Sequence, residues 1–189
     1  MKLTATALPD VLIVEAPLFG DDRGWFMESF NQPRWQTARA ELGLPPTRPF
    51  VQDNHSRSAI GVLRGLHFQR APRAQGKLLR VVKGAAFDVA LDIRRGSPSF
   101  GRWVGQLLSA DNRLQLWIPE GFAHGFLALE DDTHVLYKTT DTYAREAEGA
   151  IAWNDPALAI EWPLSPGFSQ PLLAPKDVAA PPLAQADIG

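Results

Sequence analysis

One stretch of helical spacing and a long succession of short apolar runs cut by turn residues make up this chain. Helical periodicity holds from Pro33 to Leu42, where Asn31 can cap, Pro33 suits the first turn and Gly43 ends the run. Nearly everything from Phe50 to Trp153 has the pattern of short strands. Lys77 to Val82 is an apolar run closed by Lys83-Gly84, and Ala86 to Ile93 then alternates apolar with polar or small residues, predicting a half-buried strand. After the turn Arg95-Gly96-Ser97-Pro98, strand patterns resume over Trp103 to Leu108, Leu114 to Ile118, Phe122 to Leu129 and His134 to Thr140. Strands this short and evenly spaced predict an antiparallel barrel or jelly roll. The expectation is one mainly β domain over residues 1–189, with a barrel core at about 50–153 and a short N-terminal helix. The proline- and alanine-rich segment 163–189 is expected to be an extended C-terminal arm.

Composition narrows the function classes. An apolar content of 45% and a charged content of 21% are those of an ordinary globular protein with a substantial core. A formal net charge of −2 argues against a nucleic-acid surface, although local arginines could still hold one phosphorylated small molecule. The absence of cysteine rules out disulfides, thiolate metal sites and cysteine nucleophiles. The run Val11-Leu12-Ile13-Val14 is too short for a signal or membrane segment, so a cytoplasmic protein is expected.

The chemistry gathers around Leu63-Arg64-Gly65-Leu66-His67-Phe68-Gln69 and the following Gln75-Gly76-Lys77. A histidine on an apolar strand, flanked by fixed cations, suggests a base beside charges that hold an anion. A core histidine bonded to a backbone carbonyl is the structural alternative. In a regular strand His67 and Arg64 point to opposite faces, so sharing one ligand requires a bend, for which Gly65 is the candidate. Pro119-Glu120-Gly121-Phe122-Ala123-His124 has the Pro-x-Gly-x-x-His spacing of the second cupin-barrel motif, or it is a hairpin turn followed by a buried histidine. Where cupins offer His-x-His for metal, this chain has His67-Phe68-Gln69, which favours a metal-free barrel. Tyr137 could be a wall residue or a proton donor. Arg23 could be a turn residue or a phosphate contact, and Lys176 and Asp177 have the look of solvated charges in the tail.

Taken together, these segments resemble the dTDP-4-dehydrorhamnose 3,5-epimerase family of metal-free, cofactor-free cupin enzymes. The resemblance runs from about Leu8 to Ala184 and includes Phe19-Gly20-Asp21-Asp22-Arg23-Gly24, Gln52-Asp53-Asn54-His55-Ser56, Leu136-Tyr137-Lys138-Thr139-Thr140, Trp153-Asn154-Asp155-Pro156 and Lys176-Asp177. It implies a cupin-type jelly roll that epimerises C3 and C5 of a dTDP-linked 4-keto-6-deoxy sugar. It also implies that His67 is the base, Asp177 its partner, Lys77 the enolate-stabilising cation and Tyr137 the acid on the opposite face. Arg23 and Arg64 would lie near the diphosphate, and Glu28, Gln52, Asp53, Asn54 and His124 would line the nucleotide sugar. Tyr143 would stack on the thymine, with Glu148 and Lys176 as further binding positions. Family members are homodimers whose chains complete each other's sites, with no nucleic-acid or membrane partner. Thr142 departs from the family's common pair of adjacent tyrosines. Single-centre epimerisation at C3 or C5, a metal-dependent cupin oxygenase and a non-catalytic sugar-nucleotide binding module are the competing readings.

Overall fold

Two antiparallel sheets of six and five strands form the body of the protein in the computed structural model, which describes residues 1–189. In chain order the first strands are β1 (Lys2–Ala5), β2 (Leu12–Glu15), β3 (Leu18–Asp21) and β4 (Gly24–Met27), followed by helix α1 (Gln32–Glu41). Then come β5 (Gln52–Ser58), β6 (Leu63–Gln69), β7 (Lys77–Lys83), β8 (Ala85–Asp92) and β9 (Trp103–Ser109). The chain ends with β10 (Gln115–Ile118), β11 (Phe122–Ala128), β12 (Thr133–Thr139), β13 (Glu148–Ala150) and the single-turn helix α2 (Pro175–Val178). The larger sheet has the order β1-β2-β10-β7-β12-β5 and the smaller one β13-β6-β11-β8-β9, while β3 and β4 form a separate hairpin. This is the mainly β jelly roll that the strand spacing predicts, cupin-like as the family resemblance implies. Its two sheets do not join edge to edge into a closed barrel.

Strands β1 and β2 extend the sheet beyond the expected 50–153 core. Strand β2 carries the reason: its Leu12 and Val14 are fully buried against Trp35, Leu78 and Trp117, and the mostly exposed β1 pairs along its edge. Helix α1 forms because Asn31 Oδ1 accepts the Arg34 N–H at 3.2 Å and proline sits in its first turn. It lays Trp35 over the outer face of the larger sheet, edge-on to Trp117 at 5.3 Å.

The space between the sheets is filled at one end by Leu79, Val81, Leu116, Ile118 and Val135 from the larger sheet, facing Ala86, Ala90, Leu108, Phe122 and Phe126 from the smaller. The apolar residues of β8 do not all point there. Val89 and Leu91 face outward and are buried under the C-terminal arm by Leu158 and Ala186, with Trp162, Leu183 and Ile188 packed alongside. The alternation in this strand therefore marks two covered faces, not one buried and one wet. The face carrying Asp88 is the inward one. Far from trailing loosely, the arm adds a third layer through the Val62–Leu172 bridge and the Ala152 N–H to Pro181 carbonyl bond.

The strand that carries His67 is irregular where the chemistry needs it. On β6, His67 pairs with His124 and Arg64 with Phe126, so two residues of β6 stand opposite Gly125 alone. This bulge shifts the side-chain alternation by one and brings Arg64 and His67 to the same cavity, the bend expected at Gly65. Gly65 has φ +124°, and a Cβ there would lie 2.5 Å from the Gly125 Cα and 2.6 Å from the His124 carbonyl oxygen. Gly65→Ala is expected to destabilise the fold by about 3 kcal/mol or more, from backbone strain plus overpacking. Urea denaturation would measure it, and a loss below about 1 kcal/mol would show that the bulge tolerates a side chain.

Candidate active site

At the polar end of the space between the sheets lies a cavity of about 500 Å³, within the range of small-molecule sites. Alternation on the regular strands decides what enters it. On β7, Lys77 shares the inward face with the core residues Leu79 and Val81, and on β12 Tyr137 shares it with Val135. On β11, His124 lies between the inward-facing Phe122 and Phe126. On β5, Gln52, Asn54 and Ser56 line the cavity, whereas Asp53 turns to the other face and pairs with Lys138 at 3.2 Å.

The His67 imidazole is held from behind. Its Nε2–H donates to Asp177 Oδ1 at 2.5 Å, across 110 residues of sequence. The Asp177 side chain is 2% exposed and that of His67 22%. A buried carboxylate on one ring nitrogen fixes the tautomer and leaves the lone pair on Nδ1. The Lys77 ammonium donates to the His67 carbonyl at 3.3 Å. Burial pulls its pKa down to about 8, against the opposing pull of Asp88 and Glu148. Burial also raises the Tyr137 phenol above its usual range, so it is fully protonated at neutral pH.

A second histidine–carboxylate pair lies deeper. His124 Nε2–H donates to Asp88 Oδ2 at 3.1 Å, and burial lowers the pKa of this imidazole although Asp88 opposes it. At the cavity mouth Glu148 accepts from Lys176 Nζ at 2.7 Å and from the Tyr143 hydroxyl at 3.0 Å. Burial pushes the Glu148 pKa up, but those two bonds outweigh it and hold the group ionised. The Tyr143 ring is 55% exposed, and its backbone N–H donates to Gln52 Oε1 at 2.9 Å. Thr142, beside it, is taken up by Arg73, which donates to its hydroxyl at 2.8 Å. Arg64 is anchored by Ser58 Oγ and the Arg57 carbonyl, both at 3.1 Å.

The fold thus gathers His67, Asp177, Lys77, Tyr137, Gln52, Asn54, Arg64, His124, Tyr143, Glu148 and Lys176 around one cavity. It does not bring Arg23, Glu28 or Asp53 there. Arg23 lies on the β3–β4 hairpin, paired with Asp21 at 2.5 Å, and Glu28 pairs with Arg34 at 3.1 Å. Asp53 is excluded by strand alternation. Ser56, Gln69, Gln75 and Phe126 also line the cavity, and Asp88 lies behind it. Sequence pattern assigns none of these five a role; their only signal is position within or beside the same strands. No group of three or more histidine or acidic side chains is placed to hold a metal ion, and no helix is long and apolar enough to cross a membrane.

Comparison with known proteins gives one consistent result. The sequence family described as dTDP-4-dehydrorhamnose 3,5-epimerase matches residues 5–185. The dTDP-4-dehydrorhamnose 3,5-epimerase of Salmonella typhimurium is 57% identical over 187 residues, covering 98% of this chain and 97% of the relative. Among solved structures, the dTDP-6-deoxy-D-glucose-3,5-epimerase of Legionella pneumophila, in complex with dTDP-4-keto-L-rhamnose, superposes with a TM-score of 0.89. It is 49% identical and covers 97% of this chain and 93% of its own. A more distant structure, a 3'-monoepimerase from Streptomyces bikiniensis in complex with dTDP-quinovose, has a TM-score of 0.85 at 33% identity, covering 97% of this chain and 88% of its own.

Proposed function

The chain belongs to the dTDP-4-dehydrorhamnose 3,5-epimerase family, and from that premise we propose how its residues divide the reaction, with His67 as base and Tyr137 as acid. It is an isomerase that converts dTDP-4-dehydro-6-deoxy-D-glucose to dTDP-4-dehydro-L-rhamnose. The observation that carries the division is topological. His67 stands on the five-stranded sheet and Tyr137 on the six-stranded sheet, on facing walls of one cavity. A sugar ring between them meets a base on one face and an acid on the other. Inversion needs that arrangement, because a single group on one face can only exchange the proton.

The neutral His67 imidazole removes the proton from the carbon next to the C4 ketone, and the C–H electron pair moves into the ring to give an enolate with its charge on the C4 oxygen. The Lys77 ammonium stabilises that oxygen. The Asp177 carboxylate steadies the imidazolium that forms. Tyr137 then delivers its phenolic proton to the opposite face of the carbon, and solvent carries the proton from His67 back to the phenolate. The same cycle at the second α-carbon completes the product. No cofactor enters this scheme.

Arg23, Glu28 and Asp53 belong to the same reading through a homodimer. The β3–β4 hairpin carries Arg23 away from its own cavity and exposes Phe19, Trp25 and Phe26, an apolar face suited to a second copy of the chain. In the dimer Arg23 reaches the diphosphate in the partner's cavity. Arg23→Ala is expected to raise KM by about ten- to a hundredfold with kcat little changed, the worth of one hydrogen bond to a charged group. Unchanged KM in steady-state assays would remove Arg23 from the site.

Proton NMR in D2O tests the proposal after chelator treatment. Deuterium should enter both C3 and C5, with a downstream reductase trapping the L-rhamno product. Deuterium at one carbon alone would make this a single-centre epimerase, like the Streptomyces bikiniensis relative. No exchange until metal is restored would discard the division of labour among His67, Lys77 and Tyr137. The cytosol is the compartment in which a cysteine-free nucleotide-sugar enzyme of this kind is proposed to act.

A further inference from the structure

Past the end of β12, residues Asp141 to Ala144 belong to neither helix nor strand, yet they carry Tyr143 to the mouth of the cavity. The Tyr143 ring is exposed and packs in none of the apolar clusters, so burial does not fix its place. Glutamine side chains hold the backbone there in place of a sheet. Gln75 Nε2–H donates to the Asp141 carbonyl at 2.8 Å, and Gln52 Oε1 accepts the Tyr143 N–H at 2.9 Å. Gln69 takes the residue on each side of Tyr143. Its Nε2–H donates to the Thr142 carbonyl at 3.3 Å, and its Oε1 accepts the Ala144 N–H at 2.8 Å. The other Nε2 hydrogen goes to the Arg73 carbonyl at 2.6 Å.

We propose that Gln69 is a positioning residue for substrate binding: its buried carboxamide clamps the backbone on both sides of Tyr143 and so sets that ring to receive the nucleotide base. The inference rests on the reading of Tyr143 as the residue that stacks on the base. Gln69 is 6% exposed and stands two positions after His67 on β6, so one strand carries the reacting histidine and fixes the ring. Both of its N–H groups are used inside the protein, which leaves it no donor for a substrate. The position calls for a carboxamide, which presents donors to two carbonyls and an acceptor to one N–H. A carboxylate would set an acceptor against the Arg73 and Thr142 carbonyls, and an apolar side chain would leave backbone groups unpaired. Arg73 closes the arrangement: Gln69 holds its carbonyl, and its guanidinium donates to the Thr142 hydroxyl at 2.8 Å. The far end of Tyr143 is fixed separately by Glu148, whose backbone pairs with that of Gln69 in the sheet.

Gln69→Met keeps the volume and removes the clamp. It is expected to weaken dTDP binding, read by calorimetry, by about tenfold. Turnover should change little, because His67, Lys77 and Tyr137 stay in place. The chain has two tyrosines, so the full-length enzyme carrying 3-fluorotyrosine gives two 19F signals, which Tyr143→Phe assigns. In Gln69→Met the Tyr143 signal should shift while the Tyr137 signal stays. In a Tyr143→Ala background, Gln69→Met should cost less than about twofold in dTDP affinity, because the two residues act as one unit. Equal losses in both backgrounds overturn the proposal, as does an unmoved Tyr143 signal or a fall in kcat with binding unchanged. Parent-like dTDP affinity in Tyr143→Ala alone would remove Tyr143 from binding and overturn the proposal at its premise. Should Gln69→Met fail to fold, Gln69→Asn, one methylene shorter and still polar, goes through the same cycle with the same expected results.

Discussion

His67→Asn is expected to lower turnover by about two to four decades while leaving sugar-nucleotide binding within a few-fold of the parent, because a positioned base is worth that much and little else changes. Asparagine keeps a polar amide at the His67 position, although it is too short to replace Nε2, so Asp177, 2.5 Å from that nitrogen in the parent, loses its direct donor. The amide has no basic nitrogen at neutral pH. The proposed binding contacts do not run through the His67 ring: Arg64 lies on β6 but beyond the bulge, Tyr143, Glu148 and Lys176 lie at the mouth, and Gln52 and Asn54 lie on β5. Turnover is read with the downstream reductase in excess, and binding by calorimetry with dTDP. Turnover near that of the parent would sink the mechanism. Loss of binding in parallel would show instead that His67 holds the substrate and does not only react with it.

Tyr137→Phe should separate exchange from inversion. Phenylalanine fills the same volume against the core around Val135 and Leu79 but has no proton to give. His67 and Lys77 remain, so the enolate still forms and is reprotonated from the face it left. Deuterium is therefore expected to enter the substrate from D2O while formation of the L-rhamno product drops by about two to four decades. Burial keeps the Tyr137 phenol protonated well above neutral pH, so the parent enzyme always holds an acid there. Inversion at the parent rate in this variant would mean that water, and not Tyr137, serves the second face. Absence of exchange as well as inversion would place Tyr137 in enolate formation itself.

These expectations depend on features of unequal legibility. Helix α1 was readable because its determinants are local: the Asn31 cap, the early proline and the terminating glycine act within a few residues. The strands of the jelly roll were readable for the same reason, as runs between turn residues. The family resemblance supplied the roles, and the residues that carry it are present. What pattern alone misread was the environment. Asp177 has the composition of a solvated tail charge, yet it is 3% exposed because α2 docks onto β6. Asp88 reads as the wet position of a half-buried strand, yet the C-terminal arm covers the opposite face and turns Asp88 inward.

The sequence by itself determined the class of fold, the single N-terminal helix, and the supply of bases, cations and phenols from which a site could be made. Tertiary structure alone decided that His67 meets Asp177, that Arg64 shares a cavity with His67 in spite of odd spacing, that Asp53 does not, and that Tyr137 faces His67 from the other sheet. The reason is the range of the interactions. Periodicity and capping are set by neighbours a turn or a pleat away. The facing of two sheets, the bulge opposite Gly125 and the docking of a C-terminal arm are set by burial shared among residues far apart in the chain, 110 positions in the case of His67 and Asp177.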